Sequence, residues 1–213
     1  MTRPLVSVIT GTYQRHGLLM QAIDTVIRQS YRPLEHVIVA DGPDPELRER
    51  MAQLAQYADP SDPELRFFEL GRNWSQVIPD SISAPPFMTA QLLARGEYMA
   101  WLSDDECMID PDHITKLVNL LESKNVDFVY PYVEVWANGH PEKKWIVGTD
   151  PPQCGTITHA LHRADILNVF GGGFRVSVGS GSDWDQAVRW MAAGKTWAML
   201  PEVTFRHRSD KGW

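Results

Sequence analysis

Three short apolar runs in the first half of the chain each stop at a polar cluster, and that alternation limits the fold more than any other feature. Leu5–Thr10 ends at Gly11-Thr12-Tyr13, His36–Ala40 at Asp41-Gly42, and Tyr98–Leu102 at Ser103-Asp104-Asp105-Glu106. Between them apolar residues recur at helical spacing: Leu18, Leu19, Ala22, Ile23, Val26 and Ile27, then Leu47, Met51, Leu54 and Ala55 within Pro45–Ala58. Leu65–Leu70 reads as a further strand and Met88–Arg95 as a short helix. Asp110-Pro111 predicts a helix start, Asp as cap and Pro in the first turn, with Ile114, Leu117, Val118 and Leu121 as its buried stripe. Strands and helices alternating in this way form a parallel sheet covered by helices.

The second half changes character. Asp127–Trp136 and Lys144–Val147 flank Asn138-Gly139, a hairpin signal. Gly155–His162 predicts a strand, Ala164–Val169 a short helix, and the glycine-rich segment Gly171–Gly181 a mobile loop that closes over a bound ligand. Ser182 is expected to cap a helix from Asp183 to Ala193, with Gly194 at its C-terminal end. Trp197–Leu200 and Val203–Arg206 read as two short closing strands. With no repeat or linker, the expectation is one α/β domain over residues 1–213. Its central sheet is mostly parallel with helices on both faces. Residues 1–106 form a nucleotide-binding half, and 107–213 a smaller, mixed, acceptor-binding half.

Charge narrows the partners. Lys and Arg number 20 against 27 Asp and Glu, a net charge of −7, which argues against a nucleic-acid ligand. No stretch approaches the ~18 apolar residues of a membrane span, and the N-terminal run is too short for a signal peptide. The expectation is a cytoplasmic protein, with peripheral membrane contact and oligomeric state left open. Cys107 and Cys154 lie far apart and suggest no disulfide framework.

In an open α/β sheet, ligands bind beyond the carboxyl ends of the strands, where the three polar clusters fall together. Tyr13 can stack on a nucleobase, Asp41 can accept from a base N–H, and Thr10 and Thr12 can line the same site. Asp104 can hold a ribose hydroxyl. Adjacent carboxylates repel and call for a cation, so Asp105 is the candidate ligand of Mn²⁺ or Mg²⁺, ions that accept oxygen donors and phosphate company. His159 and His162, three apart on a predicted strand, would point to opposite faces and read as structural. Of the eight tryptophans, Trp74, Trp136, Trp145, Trp184, Trp190 and Trp213 are candidates for a sugar platform, and Trp184 is the one most directly placed for an acceptor.

VSVITGTYQR, VIVADG, ARGEYMAWLSDDE and GSDWDQAVRWMAAGKTWAMLPE, in that order over nearly the whole chain, resemble an inverting family-2 glycosyltransferase with the GT-A fold. The resemblance implies transfer of a sugar from a nucleoside-diphosphate sugar to an acceptor hydroxyl on a glycan, a lipid-linked molecule or a small molecule. Uridine is the commonest base in such enzymes. The DD segment is similar to the family's DxD-type motif, which implies a metal at Asp105. SDWD is similar to its ED motif, which implies Asp183 as the general base. PEVTFRHR is similar to the closing strand, which implies His207 at the metal or the diphosphate. Two departures stand out. Phe87 and Met88 fall where the family often has an Arg-Asn pair, after a long Asn73–Pro86 loop, and Ser182 replaces the Glu of the ED motif. Two other readings compete. A sugar-nucleotide pyrophosphorylase needs a glycine-rich, arginine-containing loop after its first strand, which TGTYQRHG matches poorly. A non-catalytic nucleotide-sugar-binding domain need not keep an acid at position 183.

Overall fold

A computed structural model describes residues 3–57, 59, 61–78, 84–137, 140–154, 157, 159–168, 173–175 and 181–209. Strands β1 (Val6–Thr12), β2 (Leu34–Ala40), β3 (Glu64–Glu69) and β4 (Tyr98–Trp101) lie side by side as β3-β2-β1-β4, all parallel. Helices α1 (His16–Ile27), α2 (Pro45–Tyr57) and α3 (Ala84–Leu93) connect them. Parallel strands need such crossovers, so all three polar clusters emerge at the same sheet edge.

The sheet continues unbroken into the second half. There β5 (Cys107–Met108), β6 (Phe128–Ala137), β7 (His140–Val147), β8 (Leu161–Arg163) and β9 (Trp197–Arg208) extend it in the order β4-β8-β6-β9-β5, with β7 also on β6. Only β6–β9 is parallel in this half. Helix α4 (His113–Lys124) precedes β6, a 3₁₀ turn covers Ala164–Asn168, and α5 (Ser182–Ala192) precedes β9. The architecture is the GT-A type that the sequence led us to expect.

Period-2 alternation divides the core between the two faces. Val6, Val8, Ala100 and Val129 pack against α1 and α4, while Ile9, Trp101, Phe128 and Tyr130 pack against α3 and α5. Trp190 of α5 is wholly buried between Trp101, Phe128 and His162. It is therefore core rather than sugar platform. Trp74 and Trp136 lie under the guanidinium groups of Arg72 and Arg206, at 4.1 and 3.8 Å from their ring centroids. The Trp145 side chain, Trp213 and the Asn138-Gly139 turn lie outside the described residues. Both cysteines are free thiols, and no described helix is long and apolar enough to cross a membrane.

Several boundaries differ from expectation. Helix α4 begins at His113, not at the Asp110-Pro111 pair, because the Asp110 carboxylate instead accepts from Asp112 N–H and Lys116 Nζ. Ser182 is the first residue of α5 and not its cap. The cap position is Gly181, at φ 89°, a backbone that an L side chain rarely adopts. The two expected closing strands are one, β9. Leu200 pairs with Pro131 and Val203 with Tyr132, so Pro201 and Glu202 form a bulge, and a residue without an N–H is tolerated there. Of the strand expected over Gly155–His162, the described residues Ile157, His159 and Ala160 are not in a strand, and β8 begins at Leu161; the two-residue β5 had no pattern to announce it.

Candidate active site

The acid run follows β4 directly. Ser103 and Glu106 close a turn: Glu106 N–H donates to Ser103 O at 3.2 Å, and Ser103 N–H to Glu106 Oε2 at 3.2 Å. β5 then pairs antiparallel with β9, Cys107 opposite Arg206, which places His207 beside Glu106. The Glu106 carboxylate bonds His207 Nδ1 with one oxygen. Its other oxygen lies 3.3 Å from His159 Nδ1. The His159 ring stacks on Phe205 of β9, centroids 3.2 Å apart, from a turn just ahead of β8. The donor atoms of Glu106, His159 and His207 all lie within 4.8 Å of one another, and these three residues could hold a metal ion.

His159 and Glu106 were not among the expected site residues. His159 was read as structural on the assumption that it sat on a strand with His162. It precedes the strand, so the period-2 argument does not apply to it.

Burial sets the electrostatics here. It pushes the Glu106 carboxyl up, partly offset by His207. It holds His159 well below the ordinary histidine value, which keeps that imidazole neutral and its lone pair available. Burial also pulls His207 down, but the hydrogen bond and charge of Glu106, with Asp105 and Asp183 nearby, outweigh it and leave His207 raised.

Asp183 sits half-buried in the first turn of α5. Desolvation raises its pKa, and the N–H groups of Trp184 and Asp183, with the positive field of His207, oppose that rise. Asp185, two residues on, is a different kind of group. Arg175 Nε at 3.1 Å and Arg189 Nε at 2.9 Å both donate to it, and these bonds outweigh burial and lower its pKa. Trp184, also on α5, is partly buried against the core.

At the end of β1, Thr12 donates to Asp104 Oδ2 at 2.8 Å. Arg15 Nη1 bridges Asp104 Oδ1 at 3.3 Å and Asp105 Oδ2 at 2.8 Å. Burial lifts the Asp104 pKa to about 6, with Thr12 and Arg15 pulling it back and Asp105 adding to the rise. Tyr13 is 40% exposed, and its hydroxyl accepts from Gln76 Nε2 at 3.3 Å.

Two expected nucleotide contacts have partners inside the protein. Thr10 is fully buried. Its hydroxyl donates to Leu102 O at 2.8 Å and accepts from His36 Nε2 at 2.8 Å. Asp41 accepts from Trp74 N–H at 2.8 Å and from the N–H (3.0 Å) and hydroxyl of Ser75. It thereby ties Trp74 and Ser75 to the end of β2; the loop expected over Asn73–Pro86 does not extend to Pro86, because α3 already begins at Ala84. Gly42 makes this approach feasible, since a Cβ there would lie 2.9 Å from Asn73 N, and its φ is 115°. Most of the glycine-rich segment lies outside the described residues. Within it, Phe174 N–H bonds Gln91 Oε1 at 3.1 Å, and Arg189 Nη2 donates to Gly173 O at 2.7 Å.

The chain belongs to glycosyl transferase family 2, whose profile matches residues 7–175. It is 30% identical over 176 residues to a glucosyl-dolichyl phosphate glucuronosyltransferase of Haloferax volcanii, covering 78% of this chain and 50% of that protein. It is 28% identical over 138 residues to an uncharacterized glycosyltransferase of Rickettsia bellii, covering 64% of this chain and 18% of that one. The chain thus spans half or less of the length of these relatives.

Among solved structures, the mannosyltransferase PcManGT from Pyrobaculum calidifontis, in complex with GDP-Man and Mn²⁺, superposes with a TM-score of 0.74 at 22% identity. The match covers 97% of this chain and 57% of that one. Residues 1–349 of S. aureus TarS, in complex with UDP, give 0.71 at 15% identity, covering 95% of this chain and 60% of that one. At these identities the likeness establishes the fold.

Proposed function

We propose that this chain transfers a sugar from a nucleoside-diphosphate sugar to an acceptor hydroxyl with inversion at the anomeric carbon, in a metal-dependent reaction with Asp183 as general base. The observation that carries this reading is the contrast on α5. Asp185 is neutralised by two arginines, whereas Asp183 is desolvated and lies in the positive field of His207.

The nucleotide occupies the strand ends. Tyr13 offers its ring to the base, the tied Asp41–Ser75 corner borders it, and Thr12 steadies Asp104 for the ribose. Asp105 and His207, with Glu106 and His159 beside them, would hold the divalent ion. A bound ion supplies charge stabilisation for the departing nucleoside diphosphate. Two imidazoles beside carboxylates suit Mn²⁺ better than Mg²⁺, which favours all-oxygen ligation. Neutral His159 is ready to ligate, and His207 gives up its proton on binding.

Asp183 takes the proton of the acceptor hydroxyl as that oxygen attacks opposite the leaving group. Its raised pKa makes it a stronger base than an exposed carboxylate, and a base tuned toward the working pH is the more effective one. Trp184 borders the acceptor. UDP-sugars are the first donors to test, with GDP-mannose beside them because a fold neighbour binds it. A lipid-linked acceptor is the first to try, after the Haloferax relative's name.

The test pairs Asp183→Asn with Asp185→Asn in a nucleoside-diphosphate release assay with Mn²⁺. Loss of a general base lowers turnover ~10²–10⁴-fold, with donor binding and melting temperature held. Wild-type turnover in Asp183→Asn overturns the base assignment.

A further inference from the structure

We propose that Arg15 is an exchangeable counter-cation. It holds the Asp104–Asp105 pair while no divalent ion is bound, and it passes to the donor's diphosphate when the ion arrives. This rests on the proposed metal-dependent donor site and adds a residue that neither the DxD-type motif nor the metal cluster contains.

The geometry is specific. One guanidinium nitrogen, Nη1, serves both carboxylates, at 3.3 and 2.8 Å. All three side chains are largely enclosed, at 19%, 6% and 14% exposure for Arg15, Asp104 and Asp105, so the contact is poorly screened. The backbone fixes the origin of the side chain. Arg15 occupies the N-cap position of α1, where its carbonyl accepts from Leu18 and Leu19 N–H at 3.0 and 2.9 Å. Gln14 before it sits at φ 52°, an uncommon conformation for a residue other than glycine, and such residues gather at functional sites. A pinned backbone with a long, jointed side chain can exchange partners without moving the helix.

Charge decides the direction of exchange. One guanidinium against two carboxylates leaves a net negative charge, so the pair still attracts a cation. A divalent ion at Asp105 by itself balances the two carboxylates, so the guanidinium left beside them becomes an excess positive charge that the ion repels. The diphosphate that accompanies the ion restores a negative partner within the side chain's reach, and Arg is well suited to phosphate oxygens. Arg15 therefore opposes binding of the ion alone and favours binding of ion and nucleotide together. This gives ordered loading without a moving domain.

Calorimetric titration tests this on the whole chain, with Mn²⁺ alone, then UDP and GDP at saturating Mn²⁺, for wild type, Arg15→Gln and Arg15→Lys. Arg15→Gln is expected to bind Mn²⁺ alone about tenfold more tightly and the nucleotide about tenfold more weakly. Arg15→Lys, with its charge kept and its fork lost, should fall between on both counts. Melting curves add a readout independent of nucleotide: metal-free Arg15→Gln melts below wild type, and Mn²⁺ closes the gap. Mn²⁺ affinity that is unchanged or weakened in both variants, or nucleotide affinity indifferent to position 15, overturns the proposal. A wild-type protein that binds neither Mn²⁺ nor nucleotide would instead overturn the donor-site reading beneath it.

Discussion

The two ends of the parallel sheet treat buried acids in opposite ways. At the N-terminal end, Glu35 of β2 is 0% exposed. It accepts from Ser7 Oγ at 2.6 Å, Arg95 N–H at 2.7 Å, Arg95 Nε at 2.9 Å and Arg66 Nη1 at 3.0 Å. Burial alone would raise its pKa, but these donors reverse the sign and hold it below the ordinary glutamate value. At the C-terminal end, Asp104, Glu106 and Asp183 have fewer donors, and burial wins: all three are raised. Glu35, Asp104 and Glu106 are all nearly closed to solvent, yet the outcome is opposite. Donor supply separates a carboxylate that holds the fold together from carboxylates that remain short of positive charge, and clustered perturbed acids at a rim mark a functional site.

The largest effect should come from exchanging the roles of the two ends. Asp183→Asn is expected to cut turnover ~10²–10⁴-fold with the melting temperature held. Glu35→Ala should do the reverse: it leaves Arg66 and Arg95 facing an emptied buried site, at a cost of ~3–5 kcal/mol in denaturant unfolding, while turnover per folded molecule is kept. A variant at either end that moves both quantities together would dissolve the distinction.

The pH dependence is the next consequence. Glu35's folded pKa lies below its unfolded value of 4.5, so its contribution is fully present above pH 4.5 and is lost as pH falls through the folded pKa. The stability difference between wild type and Glu35→Ala should therefore be constant from pH 5 to 7 and shrink below about 4.5 in urea melts. A difference that grows on acidification contradicts the lowered pKa.

Asp41→Ala should have the smallest effect, roughly 1–3 kcal/mol in nucleotide binding, with turnover at saturation nearly kept. Ser75→Ala sharpens this. If Asp41 acts by tying down Trp74 and Ser75, removing the Ser75 hydroxyl weakens nucleotide binding in the same direction. If Ser75→Ala is silent while Asp41→Ala is not, Asp41 meets the base directly.

The parallel half was legible in the sequence because three of its four strands are apolar runs and the helices between them have their own periodicity. Asp104, Asp105 and Asp183 were visible for a related reason: they stand at element ends, where local patterns stop. The mixed half was less so, because its strands are fixed by partners far away in the chain. Nothing around His159 says that Phe205 will stack on it, and β5 exists only because β9 passes beside Cys107. Pro201 suggested a break between two strands, where the pairing of β6 with β9 absorbs it as a bulge. Glu106 stands in the same polar cluster as Asp104 and Asp105, but its surroundings depend on two histidines 53 and 101 positions further on. Arg15 was hidden in the motif TYQR, where no spacing rule connects it to acids 89 and 90 residues away.

The most direct test of the acid-rich rim is calorimetric titration of UDP and GDP into wild type and Asp105→Asn, each with Mn²⁺ and with chelator. Binding of at least one nucleotide to wild type is expected only with Mn²⁺, and Asp105→Asn should lose it while melting as wild type does in chelator. Equal nucleotide affinity in chelator, or an Asp105→Asn protein that keeps its Mn²⁺-dependent affinity, would contradict a metal-nucleotide site built on these carboxylates.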